Sequence, residues 1–408
     1  MIDMKKIILM IASLIVILVL FFAFTGAVGD KAVSRTARAE ETNTLTIGVY
    51  EPLTGSEAEG GKKELLGIRY ANSVRPSVDI AGITYNIELL ELDNESDAET
   101  AELDGKYFIK QGVTAVLGSY GTELSEIGAK ALAPSGIPHI LISSTKPDLI
   151  NCGPSVFRVC YDDSFQAGVM ANYAVSKGYK TAVVLTMEND AYSASLAGCF
   201  TSEFMRLDGS VFAYAYEKGQ NNFQSIAEMI SSVKADVVFL PSNVSSTANV
   251  IKQLRRNGVD CPILGGDTFD SASLMESCSN YGRDVVFCSG FSDSDLSNLV
   301  SAEFIPKFTA WLNNDKERLS INGGSSVISP VSALGYDAYM VLLDALSRSE
   351  GTDPASVCLA LSASDYSGVT GKISFDLNGG LIEKHTYIKS FDVERKSFNI
   401  LQTSSVGK

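Results

Sequence analysis

The string Ser143-Ser144-Thr145-Lys146 satisfies the SxxK spacing, in which a lysine can take the proton of a serine nucleophile during acyl transfer. The same spacing recurs at Ser231 and Ser405, and no KTG accompanies any of the three, so the pattern carries no chemistry by itself. No GxSxG elbow, HExxH helix or GxxxxGK[ST] loop occurs. The glycine-rich segment 55–63 places Glu57 and Glu59 where a phosphate cradle needs bare backbone amides. Of the two histidines, His139 lies inside the apolar run 138–142 and reads as a core or strand-end imidazole, and neither it nor His385 has a visible acid or nucleophile beside it. An exported hydrolase would need a nucleophile and a base that this sequence does not show.

Metal chemistry fares no better. The seven cysteines, at 152, 160, 199, 261, 278, 288 and 358, contain no CxxC and have only two histidines to help them, which argues against zinc. In an exported chain Cys152 with Cys160 and Cys278 with Cys288 would make short-loop disulfides, and the odd count leaves at least one free thiol; the other reading is that all seven are small buried apolar residues. Asp93, Glu95 and Asp97 lack the glycine and terminal glutamate of a calcium loop, whereas Ser96 and Glu99 have the spacing of a helix-starting capping box. No cofactor is expected.

The residues able to bind a small molecule sit instead in the short polar loops that follow apolar runs. Val-, Ile- and Leu-rich runs alternate with amphipathic stretches of ten to twenty residues from Leu45 onward, as strands and helices of a parallel sheet do. One series has strands over 45–50, 85–92, 114–117 and 138–142. A second begins after 157–161, with strands over 181–186, 211–216, 237–240, 262–264 and 284–289. Helices are expected over 299–312 and 335–347, and the tail 371–401 alternates like antiparallel edge strands around the turn 376–380. At 408 residues the chain has material for two domains.

Open α/β sheets bind ligands at the carboxyl ends of their strands. There this chain has 52–60, 118–122 and 143–145 in the first series, rich in hydroxyls and free amides. Thr122 also opens a helix, whose amides and dipole suit a carboxylate. The second series supplies Asn189, Asp190 and Tyr192 after one strand, and Gly265, Gly266 and Asp267 after another. Hydroxyls and amides on one wall with Asp267 on the other match a zwitterion, although Thr122, Ser143 and Asp267 could each be ordinary helix caps.

Lys5 and Lys6 lead into an apolar run over 7–24, and Ala37-Arg38-Ala39 has the small-x-small form of a signal-peptidase site. Residues 1–39 are therefore expected to direct export, with an uncleaved membrane anchor as the alternative because the run nears the length of a spanning helix. No cysteine lies near the end of the run to carry a lipid. The net charge of -15 makes nucleic acid an unsuitable partner.

Together, Ile47 to Gly60 (IGVYEPLTGSEAEG), Ala115 to Thr122 (AVLGSYGT), Gly136 to Pro147 (GIPHILISSTKP), Phe157-Arg158, Gln166 and Gly168, Asn189 to Tyr192, Ile263 to Thr268 (ILGGDT) and Tyr336 to Ala338 resemble the leucine/isoleucine/valine-binding type of solute-binding protein of ABC transporters. The likeness runs from about Leu45 to Leu401. It implies the type I periplasmic-binding fold: two Rossmann-like α/β lobes with parallel-core sheets, 43–160 with 291–375 and 161–290 with 376–408. Three crossings near 157–161, 289–291 and 375–377 would form the hinge. It implies no catalysis, and a small amino-acid-like ligand passed to the membrane permease subunits of a transporter. Thr122 and Thr145, with the Ser143 and Ser144 backbone, would hold the ligand carboxylate; Asp267 with Thr145 would hold its ammonium; and Tyr192 would cover it. The family often has aromatics where this chain has Gly60 and Asn243, so a wider, more polar side-chain pocket is expected, suited to a neutral or polar amino acid. A ligand-binding sensor of the same fold is the alternative function.

Overall fold

The computed structural model describes residues 43–406, and the expected leader, anchor and cleavage site lie outside them. Strand β1 (Asn43–Glu51) is the centre of the first lobe, followed by α1 (Ala58–Val74), β2 (Ser77–Ile80), β3 (Ile83–Asp93), α2 (Ala98–Gln111), β4 (Ala115–Gly118), α3 (Thr122–Leu132), β5 (His139–Leu141) and β6 (Val156–Arg158). Their strand order is β2-β3-β1-β4-β5-β6. β1, β4, β5 and β6 run parallel, while β2 pairs antiparallel with β3 as an edge hairpin. Every residue of β4 is buried, as expected of a strand covered by helices on both faces. The Ser77–Ile80 hairpin partner and the short β6, which lies in the segment read only as a crossing, are the strands of this sheet that the apolar pattern left unread.

The second lobe contains α4 (Asp163–Ser176), β7 (Thr181–Met187), α5 (Ala191–Arg206), β8 (Ser210–Tyr216), α6 (Gln224–Ser232), β9 (Val237–Phe239), α7 (Val244–Arg256), β10 (Ile263–Gly265), α8 (Ala272–Cys278) and β11 (Val285–Ser289). The chain then returns to the first lobe as α9 (Leu299–Asn313), α10 (Lys316–Ile321), α11 (Pro330–Arg348), α12 (Pro354–Ser362) and the hairpin β12 (Tyr366–Gly368) and β13 (Gly371–Ile373). It ends in the second lobe as β14 (Lys384–Asp392) and β15 (Ser397–Val406), giving the order β15-β14-β11-β10-β9-β7-β8 with the last two strands of the chain antiparallel. This is the type I periplasmic-binding architecture. The third crossing lies beyond Leu381 rather than at 375–377, because Phe375 and Leu381 both pack in the first-lobe core and Arg158 N donates to Gly379 O at 2.9 Å.

Helix α11 crosses α1 at very close range. A β-carbon on Gly67 would lie 1.9 Å from Ser332 O, and one on Gly335 would lie 2.4 Å from Glu64 O, so only glycine permits this approach. Ser332 Oγ donates to Lys63 O at 2.6 Å and fixes the crossing. This contact aims the buried Glu64 at the end of β5.

All seven cysteines are free thiols, so neither expected disulfide forms. Alternation along the strands explains it. Cys278 packs with Val285 and Phe287 on one face of the second sheet, while Cys288 packs with Val286 on the other. Cys160 likewise belongs to the core beside Phe157, whereas Cys152 packs beside Val156. Among the described residues, no group of three or more His, Cys, Asp or Glu could hold a metal ion, and no helix is long and apolar enough to cross a membrane.

Candidate functional site

The first wall of the cleft is built on the loop after β1. Asp93, at the end of β3, accepts from Leu53 N at 2.8 Å, Thr54 N at 3.1 Å and Thr54 Oγ1 at 2.8 Å; burial pushes its carboxyl up, but the bond from Glu95 N at 2.8 Å together with these holds it below the usual range. Ser96 Oγ donates to Thr54 O at 2.7 Å and accepts from Glu57 N at 3.1 Å. Ser96 is thus not the helix cap expected of it; Asp97 caps α2, accepting from Thr100 N at 2.9 Å. The acidic cluster is a clasp on the binding loop.

Two glutamates support the neighbouring loops from below. Glu51, at the end of β1, accepts from Tyr120 N at 2.7 Å, and Glu64 accepts a hydrogen bond from Ser143 Oγ. Burial pushes the Glu64 carboxyl up to about 8 and Glu51 well above the ordinary range, Glu51 also feeling the Glu64 charge. The pair therefore retains a proton at neutral pH and fastens two loops without placing two bare charges side by side.

Helix α3 opens toward the cleft with no side chain capping its first turn, preceded by Gly121 at φ 92°. Gly121 to Leu124 and Ser143 and Ser144 line a cavity of about 690 Å³ between the lobes. Orphan amides at such a helix start attract a carboxylate. Ser144 Oγ, 2.5 Å from Ser125 Oγ and 3.3 Å from Ser119 O, is committed to the loop, as Ser143 Oγ is to Glu64. These two serines therefore present backbone to the cavity more than hydroxyl.

Tyr192 and Asp267 form the opposite wall. Tyr192, in the first turn of α5, donates from its hydroxyl to Asp267 Oδ1 at 2.7 Å. Asp267 N donates to Gln166 Oε1 at 3.3 Å. Burial pushes the Asp267 carboxyl up to about 6 in spite of the Tyr192 bond, so it faces the cavity as an acid with no ion-pair partner among the described residues.

The cavity wall thus gathers Thr122, Ser143, Ser144, Tyr192, Asn243 and Asp267 from the expected set. Thr145 and Gly60 are not on it. Thr145 is buried behind the loop, with its carbonyl accepting from Asp163 N at 2.8 Å and its Oγ1 close to the Asp163 carboxylate without a well-formed hydrogen bond. Gly60 lies under Tyr120, whose ring stands 2.3 Å from where a Gly60 β-carbon would be. The ring missing at position 60 is replaced by one from the loop after β4, so the expected widening does not occur there. Asn243 Nδ2 lies 3.4 Å from Glu57 Oε1 and 3.3 Å from Asp190 Oδ2 on the cavity wall.

Tyr120, Glu51 and Glu64 were not singled out in the sequence, and Glu57 was noted only as an obstacle to a phosphate cradle. Tyr120 and Glu57 stood within the quoted motifs, but nothing local shows that Tyr120 covers a glycine sixty residues earlier. The serine of the SxxK string is bound to Glu64 and its Lys146 pairs with Glu126 at 2.6 Å, so the two do not form an acyl-transfer pair. His139 is buried with Nε2 2.6 Å from Gly118 O, and burial lowers its pKa to about 4.

The profile of the periplasmic binding protein family matches residues 44–393. Leu/Ile/Val-binding protein BraC3 of Rhizobium johnstonii is 26% identical over 287 residues, 69% of this chain and 77% of that protein. Leu/Ile/Val-binding protein homolog 3 of Brucella melitensis is 26% identical over 228 residues, 55% of this chain; the match spans 61% of the Brucella protein's own length. The crystal structure of a leucine-binding protein LivK from Thermotoga maritima superposes with a TM-score of 0.79 at 27% identity, covering 88% of this chain and 98% of that one. A solute-binding protein from Rhodopseudomonas palustris, solved with 3,4-dihydroxybenzoic acid, shares the fold at a TM-score of 0.76 and 18% identity, over 90% of this chain and 98% of that one. With two parallel-core lobes, a polar cavity between them and a profile match across nearly all the described residues, this chain belongs to the periplasmic binding protein family.

Proposed function

We propose that the protein captures an amino acid or similar small zwitterion between its lobes outside the cytoplasm and delivers it to the permease subunits of an ABC transporter. The observation that carries this reading is the opposition of two unlike walls: the uncapped start of α3 on one side and the Tyr192-held Asp267 on the other. The ligand carboxylate would lie on the α3 amides and the Thr122 hydroxyl, with the Ser143 and Ser144 backbone beside it. The ammonium would pair with Asp267, which gains a partner for a charge that burial disfavours. Tyr192 would orient that acid and cover the ligand, and Asn243 and Tyr120 would bound its side chain.

Contacts made to both lobes favour the closed form over the open one, and a transporter can recognise the closed shape. No covalent step is involved. Residues 1–39 would act as a removed export signal or a retained anchor.

Calorimetric titration with the common amino acids, aliphatic amides, short dipeptides and 4-hydroxybenzoate tests the proposal. Saturable binding of at least one α-amino acid is expected. Binding of the benzoate alone, or of no α-amino acid by folded protein, would contradict it.

A further inference from the structure

Apart from the Tyr192–Asp267 pair, the cavity brings together a carboxylate from each lobe. Glu57 comes from the clasped loop of the first lobe and Asp190 from the start of α5 in the second. Both line the cavity, with Ser56, Ser96, Asn243 and Lys218 around them. One buried amide, Asn243 Nδ2, reaches both carboxylates at 3.4 Å and 3.3 Å. It can satisfy only part of two acceptors at such lengths. Lys218, exposed at the rim, is the cation whose field reaches both acids. Tyr120 also lines the cavity, and its hydroxyl lies within the field of both Glu57 and Asp267.

Resting on the zwitterion reading, we infer that the ligand's side chain ends in a cation, an ammonium or a guanidinium, held between Glu57 and Asp190, with its aliphatic stem along Tyr120. Closing the lobes on a neutral side chain sets two like charges against each other in a desiccated space. The pressure is visible at Glu57, whose carboxyl is pushed up to about 7 by burial first and by the Asp190 charge second, against the opposing field of Lys218. A cation between them removes the repulsion and turns it into attraction from both lobes, so it would favour closure as well as binding. This replaces the neutral or polar side chain that Gly60 and Asn243 suggested.

The test is calorimetric titration at pH 8 with L-lysine, L-ornithine, L-arginine, L-norleucine and L-leucine, on the wild-type chain and on E57Q and D190N. Asparagine at 190 can still cap α5 by accepting from Ser193 N, and thermal melting establishes that each variant is folded. Lysine or arginine should bind at least about tenfold more tightly than norleucine, a conservative gain for a desolvated charge pair, and each variant should reduce that ratio severalfold. Norleucine binding as tightly as lysine, as it would if Lys218 itself neutralised the acids, overturns the inference while leaving the amino-acid reading intact; so does a ratio unchanged in both folded variants. Binding of none of the five by folded protein also overturns the inference, and the titration with all the common amino acids then decides whether the amino-acid reading falls with it.

Discussion

Asp267 has the clearest chemistry in the cleft. Its carboxyl sits near 6 because burial opposes its charge more than the Tyr192 hydroxyl supports it. An ammonium binds the ionised form, so its contribution to affinity is present above about pH 6 and is lost as pH falls through that value. We expect amino-acid affinity measured by calorimetry to decline between pH 7 and pH 5, and D267A to abolish that slope while weakening binding by about 2–5 kcal/mol, as the loss of a buried charge partner does. A wild-type affinity constant across this range would remove Asp267 from recognition. The acid, Thr122 and Tyr192 were all legible in the sequence because each opens an element after a strand of a parallel sheet, where ligands bind. Glu51 and Glu64 were not: a glutamate at a strand end and another inside a helix look like solvated positions until the fold buries both. Gly60 was read as an empty place, because the ring that fills it arrives from another loop.

That ring belongs to the scale of elements. Alanine at position 60 would favour helix α1 by about 1 kcal/mol on propensity alone, yet its β-carbon would stand 2.3 Å from the Tyr120 ring. We predict that G60A destabilises the protein by about 1–3 kcal/mol, the ordinary cost of overpacking, and that the same change made on Y120A is neutral or stabilising. Chemical denaturation of the four proteins in this cycle reads the sign directly, and the same sign on both backgrounds would mean that Tyr120 does not occupy the Gly60 space. The strands and helices themselves were largely visible in the sequence, since fully buried parallel strands such as β4 carry continuous apolar runs. The β2 edge strand was not, being short and followed by a tight turn, and the cap of α2 fell one residue beyond Ser96 because Ser96 is engaged by the β1 loop. Capping-box spacing records local compatibility, and a tertiary bond overrode it.

For the molecule as a whole, closure depends on how rigidly the crossings join the lobes. Lys389 of β14 pairs with Asp270 at 2.6 Å and donates to Phe291 O at 2.7 Å, with both charged side chains buried. It ties the turn bearing Asp267 to the second crossing. Removing one member of a buried pair leaves the other uncompensated, so K389M should lower stability by about 3–5 kcal/mol, measured by denaturant titration. A change below about 1 kcal/mol would show that Asp270 finds water in its place. The two-lobe division was readable from the alternation of strands and helices, but the third crossing was misplaced by several residues, because the 376–380 turn resembles the start of a lobe-two hairpin while its flanks pack in lobe one. The account as a whole rests on both ends of a zwitterion being held at once by different lobes. The most direct measurement is calorimetry with the tightest-binding α-amino acid and its two deletion analogues, the amine lacking the carboxylate and the carboxylic acid lacking the ammonium. The account predicts that each analogue binds at least about 100-fold more weakly, about 2.7 kcal/mol, whereas an acid lacking the ammonium that binds as tightly as the amino acid would contradict it.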